Sequence, residues 1–284
     1  MIEVVRAGPL TTVQDLGRPG YAHLGVPRSG ALDTPALRAA NRLVGNPEDS
    51  AGLEVTLAGC ALRLRVARTV AVTGAPVDIT VDGRSVDCGQ PVAVPAGALV
   101  RLGRARSGLR SYLGVGGGIA VPPVLGSRST DTLSGLGPAP LADGDLLPVG
   151  EARPSTESST VDNLPAPPAG PVALRITLGP RADWFTAAAV EALCGTEYTM
   201  SPMTNRVGAR LAGAALPRAK AGELPSEGIV LGAVQVPPDG QPLVFLADHP
   251  TTGGYPVIGI VDPADLPALA QARPGATVLF HGPQ

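Results

Sequence analysis

Residues 61–66 read Ala61-Leu-Arg-Leu-Arg-Val66, and residues 77–83 read Val77-Asp-Ile-Thr-Val-Asp82-Gly83. Apolar and polar side chains alternate in both, which puts one face of each segment in a core and the other in water, the period of a strand and not of a helix. The Asp-Gly pair that ends the second is a hairpin-turn signal. Further along, Leu243-Val-Phe-Leu-Ala247 has no polar break and predicts a strand buried on both faces. Between such runs the chain is punctuated by 37 glycines and 31 prolines, a spacing that predicts many short strands and many turns. Helices are few. Asp33 or Thr34 caps one that carries Pro35 in its first turn, Leu37, Ala40 and Val44 on one face, and Gly45 as its stop. A second is expected from about Asp183 to Cys194, and a third near Asp262 to Ala272, where Pro263 and Pro267 blur the start. With so little helix to cover sheet faces, a mainly β fold whose strands close on themselves as barrels is the expectation.

Glu151 to Pro171 is polar and then proline-rich, with nothing to bury, and reads as a linker (151–171) between an N-terminal domain with an extra hairpin (1–150) and a C-terminal domain (172–284). The two halves echo each other in order. Gly8-Pro9 answers Gly179-Pro180, Arg18 answers Arg206, and Glu54, Gly59 and Val70 have the spacing of Glu227, Gly232 and Leu243. Such ordered anchors point to internal duplication. At 284 residues and 44% hydrophobic the chain can fill the cores of two domains. A net charge of −2 with 16% charged residues gives no field to attract a polyanion, so nucleic-acid binding is not expected. Three widely separated cysteines, Cys60, Cys88 and Cys194, fit a reducing cytoplasm better than a disulfide framework. No apolar run approaches the roughly 20 residues of a membrane-spanning helix, and no signal peptide is read at the start.

Familiar catalytic signatures are missing. Lys220, the one lysine, lies in no phosphate-binding loop, Gly114-Val-Gly116-Gly117-Gly118 is followed by Pro122-Pro123 where a dinucleotide-binding helix would begin, and His23, His249 and His281 lack metal-ligand spacing. No metal is expected. Polar groups gather instead in turns beside apolar strands: Gln14 to Gly20, Ser127-Arg128-Ser129-Thr130-Asp131, Asn205-Arg206 with Glu227, and Ala247-Asp248-His249-Pro250-Thr251-Thr252-Gly253-Gly254-Tyr255-Pro256. The last places an acid, an imidazole and two hydroxyls next to a backbone that a ligand can approach closely. Asp248, His249 and Glu227 are therefore the candidate proton-transfer groups. Arg18, Arg128 and Arg206 are the candidates for gripping a carboxylate or phosphate, with Gly253, Gly254 and Tyr255 as further substrate contacts.

These same segments carry a family resemblance. Thr11 to Tyr21 with Gly25 to Asp33, Arg110 to Leu113 with Leu125 to Thr130, Asn205 to Leu211, Ser226 to Ile229 with Gln235 to Pro237, and Ala247 to Pro256 together resemble the biotin-dependent carboxyltransferase-like family. Its members are called allophanate hydrolase subunit 2, KipA or the C subunit of 5-oxoprolinase. The resemblance implies two cyclophilin-like β-barrel subdomains and a partner resembling KipI or the B subunit of 5-oxoprolinase, with a lactam utilisation protein resembling the A subunit as a further partner. It implies an ATP-dependent amide-cleaving activity, 5-oxoproline to glutamate, with ATP bound by the complex. The alternatives within the family are a biotin-dependent carboxyltransferase half-site of the urea carboxylase kind and a KipA-like regulatory binding protein. No lysine flanked by methionines is present, so covalent biotin is expected on another chain.

Overall fold

The computed structural model describes residues 1–152, 166–222 and 224–282. Of the expected linker, residues 153–165 lie outside the described residues. The chain divides into two compact units, Met1–Arg18 with Ser29–Pro167, and Pro19–Arg28 with Pro168–Gln284. The transfer of Pro19–Arg28 to the second unit has no counterpart in the sequence reading.

The first unit contains β1 (Ile2–Arg6), β2 (Thr11–Gln14), α1 (Thr34–Leu43), β3 (Gly52–Thr56), β4 (Ala61–Leu64), β5 (Arg68–Gly74), β6 (Ile79–Val81), β7 (Arg84–Val86), β8 (Val92–Val94), β9 (Leu99–Leu102), β10 (Arg110–Val115) and β11 (Leu146–Leu147). They form a six-stranded sheet, β11-β1-β4-β9-β6-β7, and a five-stranded sheet, β2-β3-β10-β5-β8. One core lies between them, built from Ile2, Val4, Leu53, Val55, Leu62, Leu64, Val70, Val72, Val100, Leu102 and Leu113. The alternation of β4 works as expected: Leu62 and Leu64 enter this core while Arg63 stays on the wet face. β6 and β7 are the expected hairpin, turned by Asp82 (φ 47°) and Gly83 (φ 81°), both in the left-handed region that a two-residue turn requires.

The five-stranded sheet is covered on its second face by α1. Asp33 is the cap, its Oδ1 accepting from Ala36 N–H at 3.0 Å, and Gly45 (φ 74°) follows the helix end. Tyr112, on the α1 side of β10, packs with Leu37 and Ala40. Its hydroxyl donates to Glu54 Oε2 at 2.7 Å and accepts from Asp33 N–H at 2.8 Å, so one buried phenol ties the helix cap to β3. Burial, aided by the nearby Glu54 and Asp33 charges, holds that phenol well above its usual pKa, so it stays neutral while it both donates and accepts. Gly114 lets α1 sit directly on β10, because a Cβ there would lie 2.7 Å from Ala40 O.

The second unit contains β12 (Val172–Leu178), α2 (Ala187–Gly195), β13 (Glu197–Met200), β14 (Gly208–Ala212), β15 (Glu227–Gly228), β16 (Ala233–Gln235), β17 (Leu243–Phe245), β18 (Thr252–Gly253), β19 (Val257–Val261), α3 (Leu266–Gln271) and β20 (Thr277–His281). Seven of these strands close into a barrel, β12-β19-β16-β17-β14-β13-β20, sealed by the parallel pairing of β20 with β12. Val172, Leu174 and Ile176 alternate into its core with Tyr198 and Phe280, whose rings meet edge to face at 5.7 Å. The mainly β class is thus the observed one, with three α-helices among the described residues, and the closed barrel is in the second unit.

Two helices are shorter than the sequence pattern suggested. The Asp183–Cys194 segment is a 3-10 turn at Ala182–Trp184, broken by the extended Phe185 and Thr186, before α2 begins with Thr186 as its cap. α3 begins only at Leu266, because Asp262 to Asp265 are spent in a turn in which Ala264 N–H and Asp265 N–H donate to Asp262.

Replacing Gly114 with Ala should lower the stability of the first unit by about 1–3 kcal/mol through overpacking against α1. Urea unfolding followed by far-ultraviolet circular dichroism checks this, and an unchanged midpoint would show that α1 can lift from β10 without cost.

Candidate functional site

Arg206 and Asp248 are brought together as a fully buried ion pair in the second unit, 1% and 0% exposed. Arg206 Nε donates to Asp248 Oδ2 at 2.9 Å and Nη2 to Oδ1 at 3.0 Å, the bidentate fork that a planar guanidinium offers a carboxylate. Asp248 N–H also donates to Arg206 O at 3.1 Å. Side chain and backbone therefore lock Asp248, directly after the β17 segment, to the residue that leads into β14. An uncompensated charge at this depth would cost several kcal/mol, so each partner exists as an ion because of the other.

His249 is 7% exposed, its Nδ1 within 2.7 Å of Pro250 O and its ring 6.1 Å from that of Phe245. That contact makes Nδ1 the protonated nitrogen of the neutral ring. From Thr251 the loop rises to the surface. β18 pairs with β15, setting Glu227 opposite Gly253 and Gly228 opposite Thr252. A Cβ on Gly253 would lie 2.9 Å from Gln235 Nε2, the group that donates to Tyr255 O at 3.0 Å, so a larger residue there would displace that amide. Tyr255 is 47% exposed, with the Arg218 guanidinium 5.6 Å above its ring and Arg218 Nη2 donating to Val236 O at 2.8 Å.

Glu227 adjoins this loop but not the buried pair. Its carboxylate is gripped by Arg181, whose Nε donates to Oε2 at 2.9 Å and whose Nη2 donates to Oε1. Hydrogen bonding to Arg181 holds the Glu227 carboxyl below its usual range. The expected grouping of Asp248, His249, Arg206 and Glu227 is thus resolved into a buried anchor, a loop and a half-exposed ion pair. Sequence reasoning missed Arg181, Arg218 and Gln235. Arg181 follows the Gly179-Pro180 echo and could have been found there, whereas nothing local marks Arg218.

In the first unit, Asp15 is held by the Ser127–Asp131 turn. Its Oδ1 accepts from Gly17 N–H at 2.8 Å and from the hydroxyls of Ser127 and Ser129 at 2.6 Å each, and its Oδ2 accepts from Arg128 N–H at 2.6 Å. Arg18, 1% exposed, reaches the same turn, with Nη2 donating to Ser129 O and Nε to Val124 O at 3.4 Å. Its Nη1 is buried and has no hydrogen-bond partner among the described residues. Arg128 is half-buried and its Nε donates to Val121 O at 2.8 Å. The duplication anchors are comparable in part. A Cβ at Gly8 and one at Gly179 would each lie 2.7 Å from a backbone oxygen of a neighbouring segment, and Arg18 and Arg206 are equally buried. Glu54, by contrast, is fully buried on β3 and Glu227 is not.

None of the thiols is activated. Burial pushes Cys60 up to about 12 and raises Cys88 and Cys194 as well. Among the described residues no three His, Cys, Asp or Glu side chains gather as a metal site, and no helix is long and apolar enough to cross a membrane. Lys220 is engaged by Asp183 and stands 6.0 Å over the Trp184 ring.

Removing one member of the buried pair should be costly. Asp248→Asn or Arg206→Ala is expected to lose about 3–5 kcal/mol of stability, and the double replacement by apolar residues much less; additive losses in a double-mutant cycle would refute the coupling. The Arg181–Glu227 pair has the opposite profile. The folded Glu227 titrates below its unfolded value of 4.5, so its stabilisation is present above that value and fades as pH falls through the folded one. Carbon-detected NMR of the Glu227 carboxyl checks the direction, and the depression should vanish in Arg181→Gln.

Residues 24–282 match the family model for the carboxyltransferase domain, subdomain A and B. The chain is 41% identical over 284 residues to the C subunit of Escherichia coli 5-oxoprolinase, covering 99% of this chain and 90% of that protein. It superposes on the crystal structure of TTHA0988 with a TM-score of 0.89 and 38% identity, covering 99% of this chain and 55% of that one. The Kluyveromyces lactis urea amidolyase structure matches at TM-score 0.93 and 31% identity, over 100% of this chain and 19% of that one. The chain thus spans nearly the whole of the bacterial subunit but about half of TTHA0988 and a fifth of the urea amidolyase. It belongs to the carboxyltransferase domain, subdomain A and B, family.

Proposed function

We propose that this chain is the C-type subunit of a cytoplasmic, ATP-dependent 5-oxoprolinase that opens 5-oxoproline to glutamate in a complex with a KipI-like B-type subunit and an A-type lactam utilisation protein. The observation that carries the reading is the 41% identity to the C subunit of a 5-oxoprolinase along 90% of that protein's length. A lactam carbonyl is a poor electrophile. Phosphorylation of its oxygen by ATP would supply a leaving group and leave the carbon open to attack by water. Lys220, the one lysine of the chain, lies in no glycine-rich phosphate loop and has no flanking methionines, so in this reading ATP is bound by the complex and covalent biotin is carried by another chain.

Within this reading Asp248 and Arg206 act as positioning residues, their charges spent on each other. His249 is the proton-transfer candidate. The half-exposed Arg181–Glu227 pair, Gly253, Gly254 and Tyr255 form the surface that meets substrate or partner, with Arg18 and Arg128 as the polar groups of the first unit that could meet an anion. The likeness to urea amidolyase favours a second reading, carboxyl transfer from biotin carried by another chain.

The test is co-expression with the other two components of the complex and measurement of 5-oxoproline-dependent ATP hydrolysis. The chain alone should be inactive and the complex active. His249→Ala should lower the rate about a hundredfold, the usual cost of a lost proton-transfer group, with the complex still assembled. Activity that is abolished by avidin and needs bicarbonate would overturn the oxoprolinase reading in favour of carboxyl transfer.

A further inference from the structure

Among the described residues of the first unit, the five-stranded sheet carries α1 on its outer face and the six-stranded sheet carries no helix there. The outer face of the six-stranded sheet is wet, and it is where arginines accumulate. Across β1, β4 and β9, Arg6 stands opposite Ala61 and Ala61 opposite Arg101. Since Leu62 and Leu64 turn into the core, Ala61 belongs to the outer face, yet it is fully buried, as expected where long arginine stems flank a small residue. Towards the ends of these strands a groove of about 400 Å3 opens, lined by Arg6, Gly8, Pro9, Gly59, Gly103 and Arg104.

Backbone makes much of its wall: a Cβ on Gly8 would lie 2.7 Å from Gly59 O and one on Gly59 would collide with Leu102 O, so these segments pack main chain to main chain, and Pro9 and Ala58 complete the lining. The arginines beside it differ from others on the same sheet. Arg65 pairs with Glu3 and Arg106 with Asp78, whereas among the described residues no carboxylate lies within 4.0 Å of Arg6, Arg101 or Arg104. Two guanidiniums without a carboxylate partner beside one groove can each offer paired N–H donors to a planar or tetrahedral anion.

We propose that this groove binds an oxyanion group of a small ligand, phosphoryl or carboxylate, held between Arg6 and Arg104 with Arg101 strengthening the local field. The full chain should be titrated at constant ionic strength with inorganic phosphate in one arm and succinate in another, with sodium chloride as the reference. The readout is NMR of the arginine Nε–H and of the Gly8, Gly59 and Gly103 amides. Saturable shifts confined to these groups are expected with phosphate, succinate or both, and the arm that saturates identifies the ligand class. Arg6→Gln and Arg104→Gln should each weaken binding about fivefold or more, Arg6→Lys less so because it keeps the charge and loses only the fork, and Arg65→Gln should leave binding unchanged. Thermal melts confirm that each variant is folded. Shifts reproduced by chloride, no saturation with either anion, or equal weakening by Arg65→Gln would overturn the proposal.

Discussion

A guanidinium that is 1% exposed has to be answered from inside the fold, and Arg206 is answered by both oxygens of Asp248. The geometry of that pair sets the course of the chain beyond it. With Asp248 fixed by its side chain and by its N–H to Arg206 O, the chain must leave the barrel interior within the next few residues. The Gly253–Gly254 backbone then reaches the surface opposite Glu227. A loop tethered at its root by an ion pair and at its tip by a short strand pairing presents its polar groups with little freedom, which is what a site that positions a substrate or a partner requires.

The first unit meets the same constraint differently. Asp15 is satisfied by two serine hydroxyls and two backbone N–H groups, while Arg18 donates to carbonyls through Nη2 and Nε. Acid and base are neutralised by the neutral dipoles of one turn and not by each other. Losing one serine hydroxyl removes one of the four donors to a buried carboxylate, and each such donor contributes to keeping the charge there. This is how the Gln14 to Gly20 and Ser127 to Asp131 segments, far apart in sequence, are held together: the first supplies the carboxylate and the second the hydroxyls.

The alternation of Ala61 to Val66, the Asp-Gly turn, the capped helix at Asp33 and the apolar run after Leu243 were each legible because strand and helix periods are local properties. Helix extents at Asp183 and Asp262 were not, since Thr186 and the Asp262 side chain capture backbone N–H groups in ways that apolar periodicity does not report. The candidate site was legible as a set of residue types. Asp248 beside His249 looked like a pair of proton-transfer groups, and the sequence carried no sign that Arg206, 42 residues away, would claim both carboxylate oxygens.

The sequence by itself determined a mainly β chain, its principal turns, its family and the polar segments that gather near the strand ends, because period, turn chemistry and long motifs are written along the backbone. Tertiary structure alone decided which charges are spent on one another. Arg206 is consumed by Asp248 and Arg181 by Glu227, while Arg6 and Arg104 keep their charge beside a groove. Whether an arginine meets a carboxylate depends on which strands are neighbours, and that follows from sheet order and barrel closure, not from distance along the chain.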